Sequence, residues 1–113
     1  MSDAEITTIL HDRGKQYGAY LDNAHLTQRF KTLLRNAANF HQMPDYIREG
    51  FEMVLHKIAR AANGDPMVRD NVLDAIGYLM LVLEEMDKDI ANTARAKADF
   101  DRARGINGNT QTR

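Results

Sequence analysis

The apolar residues of this chain recur every three to four positions in four stretches, which is the period of an amphipathic α-helix. In the second and third stretches they line one face of the expected helix, while polar side chains occupy the other face. No stretch shows the apolar and polar alternation that is typical of a half-buried strand. The pattern predicts an all-α fold with helices at about residues 3–13, 24–41, 45–62 and 66–102.

The connection between the third and fourth stretches is short and strongly marked. Asn63 and Gly64 form a typical helix stop, and Asp65 and Pro66 follow at once as the expected N-cap and first helical residue. A connection of this length places two helices side by side in opposite directions. We therefore predict a helical bundle built on an antiparallel hairpin of helices three and four.

Asn23 is the expected N-cap of the second helix.

The fourth helix is apolar on nearly all sides over its middle turns. Its main apolar face comprises Val72, Leu73, Ile76, Leu79, Met80 and Leu83. A second stripe on the opposite side begins with Asp70 and Asp74 and continues into Gly77, Leu81 and Val82. A helix of this kind is expected to be covered on both sides. In a chain this short the second cover is most readily another copy, so we predict a homodimer whose interface approaches Asp70 and Asp74.

Length and composition narrow the classes of protein further. A chain of 113 residues fits a single domain, which we place at residues 1–104, and the polar segment 105–113 is expected to be disordered. Fifteen basic residues against sixteen acidic ones give a net charge of -1, which argues against a general attraction to nucleic acid or an anionic membrane. The absence of cysteine excludes disulfides and thiolate sites.

The sequence shows no segment that directs the chain out of the cytoplasm. Its first residues lack the basic and apolar regions of a signal peptide. Its longest apolar run, residues 76–83, is far shorter than the roughly 20 residues that span a bilayer. The predicted location is therefore the cytoplasm.

Four carboxylates form the first candidate site. Glu49 and Glu52 share a face of the third helix, and Asp70 and Asp74 share a face of the fourth. Oxygen ligands grouped in this way suit Mg²⁺, which can polarise a phosphoryl group and activate water. In an antiparallel hairpin Glu52 and Asp74 are the better matched pair within one chain. The alternative is that these acids are ordinary solvated surface groups.

Two cations lie close to the same turn. Lys57 and Arg60 near the end of the third helix are expected to approach Asp70 and Asp74 at the start of the fourth. Two cations beside two carboxylates can hold a phosphate and its metal. They can equally form a structural network of ion pairs, and the spacing alone does not distinguish these two interpretations.

A third candidate is the segment of residues 13–20, which holds two glycines, two cations and two tyrosines. Its backbone N–H groups could bind a phosphate, and a tyrosine ring could stack on a base. The segment lacks the spacing of a P-loop, and a plain linker between two helices is the alternative.

Taken together, these motifs resemble those of a known group of proteins. They are Arg13-Gly14-x-x-Tyr17-Gly18, His56-Lys57-Ile58-Ala59-Arg60, Gly64-Asp65-Pro66 and Asp70-Asn71-x-x-Asp74-x-x-Gly77-Tyr78. Their order and spacing resemble a family of small phage and prophage domains of unknown function, which is similar to the nucleotide modification associated domain. More distantly, they look like the MazG-type all-α NTP pyrophosphohydrolases. The resemblance covers about residues 6–83.

The resemblance implies a phage-type protein of the host cytoplasm that handles nucleotides. It implies Mg²⁺-dependent cleavage of a nucleoside triphosphate to a monophosphate and pyrophosphate. The metal ligands would be Glu49, Glu52, Asp70 and Asp74, with Asp74 and Glu52 catalytic, and the substrate would contact Lys57, Arg60, Tyr17 and Tyr78.

The chain departs from the MazG-type pattern in two ways. Asp70 and Asp74 are four residues apart rather than three, and the full Glu-Glu-x-x-Glu motif is absent. Two alternatives therefore stand beside catalysis. The chain could bind or sequester a nucleotide without cleaving it, or it could bind a host protein as a phage accessory factor.

Overall fold

The structure is a computed structural model that describes residues 2–105. Its helices are α1 (Asp3–Tyr17), α2 (Tyr20–Arg35), α3 (Asp45–Asn63) and α4 (Arg69–Ala103), with a 3₁₀ turn at Phe40–Gln42. Within residues 2–105 there is no strand, so the predicted all-α fold class is confirmed. None of the described helices is both long enough and apolar enough to cross a membrane.

The boundary between α1 and α2 differs from the prediction. α1 continues through Gly14 to Tyr17, and Gly18 ends it with a φ of 81°, a conformation that favours glycine. α2 begins at Tyr20, so the predicted start near residue 24 was wrong. Asn23 does not cap the helix, because its side-chain amide donates a hydrogen bond of 2.7 Å to the carbonyl of Tyr17.

The connection between α2 and α3 contains the largest buried side chain of the chain's small core. α2 ends at Arg35 rather than at residue 41, and the chain turns so that Phe40 is buried. The guanidinium of Arg48 in α3 lies 4.5 Å from the centre of the Phe40 ring. This contact holds the connection against α3, whose bounds agree with the predicted 45–62 to within one residue.

The start of α4 also differs from the prediction. The carboxylate of Asp65 accepts a hydrogen bond from the backbone N–H of Met67 at 2.9 Å, which closes a turn rather than a helix. The backbone N–H of Val68 bonds to the carbonyl of Asp65 in the same turn. α4 therefore starts at Arg69, three residues after Pro66, and the prediction of a helix starting at Pro66 was wrong.

The chain divides into two compact units, Met1–Val82 and Leu83–Arg113. In the first unit the buried apolar residues are Phe40, Ala59 and Val82, and the buried polar residues are Thr27 and Asn71. Large apolar side chains in the described part of the chain are otherwise half-buried or exposed. The second unit contains the rest of α4. Of the expected disordered tail, residues 106–113 lie outside the described residues.

Two contacts join α4 to α3 within the first unit. The ammonium Nζ of Lys57 lies 3.1 Å from Oδ2 of Asp74. Gly50 faces Val82 so closely that a Cβ at position 50 would overlap a methyl group of Val82. The side of α4 that meets α3 is therefore the one that contains Asp74 and Val82.

Within one chain, the apolar surface of α4 is covered less than the sequence predicts. The main apolar face, which includes Val72, Ile76 and Leu79, is exposed in the described structure. Asp74 pairs with Lys57 of the same chain, as the sequence predicts for the cations and carboxylates beside the turn between the two helices. The small residue Gly50 and the cation Lys57 select which side of α4 approaches α3, although the other side carries more apolar surface.

Candidate functional site

The last turn of α1 and the first turn of α2 are bonded directly to the end of α3 and the turn that follows it. The backbone N–H of Asp65 donates to the carbonyl of Gln16 at 2.8 Å. The side-chain amide of Asn63 donates to Oδ1 of Asn23 at 3.0 Å, and Asn23 in turn donates to the carbonyl of Tyr17. These bonds hold the segment of residues 13–20 against the last turn of α3.

Two glycines permit this close approach. A Cβ at Gly18 would overlap the carbonyl of Asn63, and a Cβ at Gly64 would overlap the backbone of Gln16. The two backbones therefore touch at positions where a side chain would separate them. This contact explains in physical terms why the chain has a glycine after Tyr17 and another after Asn63.

Tyr17 and Arg60 meet at this junction. The guanidinium carbon of Arg60 lies 5.3 Å from the centre of the Tyr17 ring, within the range of a cation–π contact. Tyr17 is the last residue of α1, and Arg60 lies in the last turn of α3. The structure thus brings together two of the residues that were predicted to contact substrate.

A pocket of about 430 Å³ opens beside the Tyr17–Arg60 contact. It is lined by Leu10, Arg13, Gly14, Tyr17, Gly18, Ala19, Tyr20, Asn23 and Arg60. We call it the arginine–tyrosine pocket. Among the described residues that line it there are two guanidinium groups and two phenol rings, and there is no carboxylate. A site of this composition suits a ligand that combines a negative charge with an aromatic ring.

Arg13 and Tyr20 are pocket residues that were not among the predicted site residues. Tyr20 is 86% exposed, so its ring is free to contact a ligand. Their signal was present in the sequence, because both lie in the segment of residues 13–20 that combines cations with tyrosines. The structure adds that this segment shares a pocket with Arg60, 40 residues further along the chain.

Lys57 has a different role from Arg60. Its side chain is only 13% exposed, and its ammonium pairs with the half-exposed carboxylate of Asp74 at 3.1 Å. The pair joins α3 to α4, as the structural alternative predicted. Lys57 does not line the arginine–tyrosine pocket.

The four carboxylates predicted to hold magnesium do not converge in one chain. Among residues 2–105, no group of three or more His, Cys, Asp or Glu side chains is arranged to hold a metal ion. Glu49, Asp70 and Asp74 are exposed, and Asp74 is already paired with Lys57. Within the described residues, a single chain therefore does not present these four carboxylates as one cluster of metal ligands.

Glu49 and Glu52 lie instead near a basic group of residues around His56. Burial lowers the pKa of His56, and the positive charges of Lys31 and Arg60 lower it further. Glu52 and Glu49 act on the same ring in the opposite direction. The two glutamates thus belong to the electrostatic surroundings of His56.

Tyr78 also lies away from the arginine–tyrosine pocket. Its carbonyl oxygen lies beside Gly50, near the middle of α3. Ten residues of helix separate Gly50 from Arg60, which is a distance of about 15 Å. Of the four residues predicted to contact substrate, Tyr17 and Arg60 line the arginine–tyrosine pocket, whereas Lys57 and Tyr78 do not.

No family model, no curated protein and no solved structure matches this chain. The basis for a functional proposal is accordingly the chemistry of the arginine–tyrosine pocket and the contacts that form it.

Proposed function

We propose that this chain binds a nucleotide in the arginine–tyrosine pocket. The observation that supports the proposal is the presence of Arg13 and Arg60 beside Tyr17 and Tyr20 in one pocket. A guanidinium group binds phosphate oxygens in a bidentate manner, and a tyrosine ring stacks on a base of any type. The volume of about 430 Å³ lies within the range of small-molecule sites.

The Tyr17–Arg60 contact favours a preformed site. Since the guanidinium of Arg60 already lies over the ring, less side-chain freedom is lost when a phosphate binds. The hydrogen bonds from Asp65 to Gln16 and from Asn63 to Asn23 hold the loop in place around it. A rigid arrangement of this kind binds more tightly than one that forms only with the ligand.

Binding without cleavage is the form of the proposal that the geometry supports best. No described carboxylate lines the pocket, and Asp74, which was predicted as a metal ligand and catalytic residue, is paired with Lys57. Magnesium-dependent cleavage of a triphosphate and attachment to a host protein stay predictions from the phage-family resemblance. Neither is needed to account for the pocket.

We also propose that α3 and α4 run antiparallel. Lys57 contacts Asp74, whereas Gly50, which precedes Lys57 in α3, contacts Val82, which follows Asp74 in α4. Seven residues back along α3 thus correspond to eight residues forward along α4, as two antiparallel helices require. The small core of the first unit supports the further proposal that a second copy of the chain completes the bundle.

Calorimetric titration of the full chain with AMP, ATP and dATP in the presence of EDTA tests the nucleotide proposal. We expect measurable binding without a divalent metal. We also expect Arg60→Gln and Arg13→Gln each to weaken it roughly 10- to 100-fold, because each removes a charge-assisted hydrogen bond to phosphate. Arg95→Gln is the matched control, since Arg95 is exposed on α4 and does not line the pocket.

Two results would contradict the nucleotide proposal. One is the absence of binding by all three nucleotides to folded wild-type protein. The other is an equal loss of affinity in the Arg95→Gln and Arg60→Gln proteins, which would indicate a general effect of charge. Binding that appears only with Mg²⁺, together with release of pyrophosphate, would favour the pyrophosphohydrolase prediction instead.

A further inference from the structure

One face of α4 is apolar and uncovered in the first unit. Its residues are Val72, Leu73, Ile76, Leu79 and Met80, which are between 42% and 65% exposed. We call this set the α4 stripe. At 100° per residue, the stripe lies on a different side of the helix from Tyr78 and Val82, and these two residues lie beside Gly50 of α3.

The spacing of the stripe is that of a helix that pairs with another helix. Val72, Ile76 and Leu79 are separated by four and then three residues, which is the a and d spacing of a heptad. The sequence of the second unit continues the same alternation with Leu83, Met86 and Ile90. A strict seven-residue repeat favours lengthwise packing against a similar helix rather than a brief crossing contact.

The charge of the stripe fits a copy of itself. Asp74 is the only charged residue in the sequence from 72 to 83, and it is paired with Lys57 on the α3 side. The stripe therefore has no charge that would repel an identical face or require an oppositely charged partner. An isologous contact between identical surfaces meets no electrostatic cost here.

The area of the stripe is also sufficient. Its five side chains expose roughly 500 Å² per copy, so two copies hide on the order of 1,000 Å², which is where specific interfaces begin. The first unit buries few apolar residues of its own, so it needs this cover whenever it folds. A second copy of the chain is available wherever the first copy is made, whereas an unrelated partner need not be.

We propose that the α4 stripe is the surface on which a second copy of this chain docks. The inference rests on the proposed dimer and gives that dimer its interface. It is independent of the nucleotide proposal, because none of the stripe residues lines the arginine–tyrosine pocket. It also replaces the expected interface at Asp70 and Asp74 with one on another side of the same helix.

Cysteine cross-linking tests the position of the interface, because the natural chain has no cysteine. The variants are Ile76→Cys and Leu79→Cys in the stripe, with Leu81→Cys as the control. Leu81 is 61% exposed and lies on another side of α4. At low micromolar protein, a short bismaleimide should link the two stripe variants into covalent dimers at least fivefold more efficiently than the control. Equal linking of all three variants, or no linking at positions 76 and 79, would overturn the proposal.

Sedimentation velocity separates the failure of the interface from the failure of the dimer. Wild-type chain should sediment as a dimer, and Ile76→Glu should raise the dissociation constant at least tenfold while Leu81→Glu does not. A wild-type monomer would overturn both the dimer and its interface and would indicate a different occupant for the stripe. A dimer that Ile76→Glu leaves intact would overturn the interface alone. Circular dichroism shows whether Ile76→Glu folds. If it does not, the cross-linking of the folded cysteine variants still tests the position of the interface.

Discussion

Arg60 lies over the ring of Tyr17, with its guanidinium carbon 5.3 Å from the ring centre. The two residues are 43 positions apart in sequence, and each lies in the last turn of its own helix. Hydrogen bonds from Asp65 to Gln16 and from Asn63 to Asn23 hold the ends of α1 and α3 together beside this contact. The consequence is that a cation and an aromatic ring are oriented together at the edge of the arginine–tyrosine pocket.

The aromatic ring of Tyr17, rather than its hydroxyl group, should matter for nucleotide binding. We expect Tyr17→Phe to bind nearly as tightly as wild type, because the cation–π contact with Arg60 is kept. Tyr17→Leu should weaken binding by about 1 kcal/mol, or roughly fivefold, because that contact is lost. Calorimetric titration with ATP in EDTA measures both changes. Equal affinities for the Leu and Phe variants would show that the ring does not contribute.

Gly18 should be required for the stability of the fold. Gly18→Ala places a Cβ against the carbonyl of Asn63 and forces an L-residue into a φ of 81°. We expect a loss of about 2 kcal/mol or more in the free energy of unfolding. Gly77→Ala is the control, because a Cβ there meets no atom within 4 Å and the position is helical. That change should stabilise the chain by about 0.5–1 kcal/mol, because it replaces a helical glycine.

Urea denaturation followed by circular dichroism measures both glycine variants. We expect the free energy of unfolding to fall in Gly18→Ala and to rise in Gly77→Ala. A general effect of adding a methyl group would instead change this free energy in the same direction in both proteins. A Gly18→Ala protein as stable as wild type would mean that the loop does not approach Asn63 as closely as described.

The Lys57–Asp74 pair should stabilise the contact between α3 and α4. Asp74→Asn leaves a mostly buried ammonium without its partner, and we expect a cost of about 1 kcal/mol. Lys57→Met keeps the apolar stem and should cost less. A double-mutant cycle of the two changes should give a coupling energy of about 0.5–1 kcal/mol. Additive effects would show that the two groups do not interact in solution.

The same Asp74 variant distinguishes a structural role from metal binding. If the carboxylate acts only on Lys57, its effect on unfolding is the same in EDTA and in millimolar Mg²⁺. A stabilisation of wild type by Mg²⁺ that Asp74→Asn abolishes would contradict the structural role and favour the predicted metal site.

Protonation of His56 should destabilise the chain as the pH falls. Burial and the charges of Lys31 and Arg60 lower the pKa of His56, so below its ordinary value near 6.5 the unfolded chain binds more protons than the folded one. The contribution of neutral His56 to the free energy of unfolding is therefore fully present above pH 6.5. It is lost as the pH falls through the lowered pKa of the folded chain. His56→Gln should flatten the pH dependence of the unfolding midpoint between pH 7 and 5. His25→Gln, an exposed substitution on α2, is the comparison. If the unfolding midpoint of the His56→Gln protein changes with pH as that of wild type does, the pH dependence comes from other groups.

The parts of the fold that the sequence predicted best are those with uninterrupted local signals. α3 was placed to within one residue, because its apolar period is regular and Asn63-Gly64 ends it. The start of α2 was misplaced because Asn23 uses its side chain to bond Tyr17 across the loop rather than to cap a helix. That choice depends on the approach of α3, which no local pattern contains.

The candidate site was also predicted only in its local part. The combination of cations and tyrosines in residues 13–20 was visible in the sequence, but its partnership with Arg60 depends on two backbones that meet at Gly18 and Gly64. The amount of apolar surface predicted that the main apolar face of α4 is covered, whereas within one chain it is exposed. The side that meets α3 is decided by a small residue, Gly50, and by one ion pair, which are features of three-dimensional packing.

The hydrogen bond from the amide of Asp65 to the carbonyl of Gln16 couples the turn after α3 to the last turn of α1. A ligand that steadies residues 13–20 will therefore also slow the opening of the chain at Asp65, which does not line the pocket itself. Deuterium uptake at that single amide becomes a remote reporter of occupancy. If the pocket binds a nucleotide as proposed, part of the stability of this fold, which buries few side chains, depends on the concentration of that nucleotide.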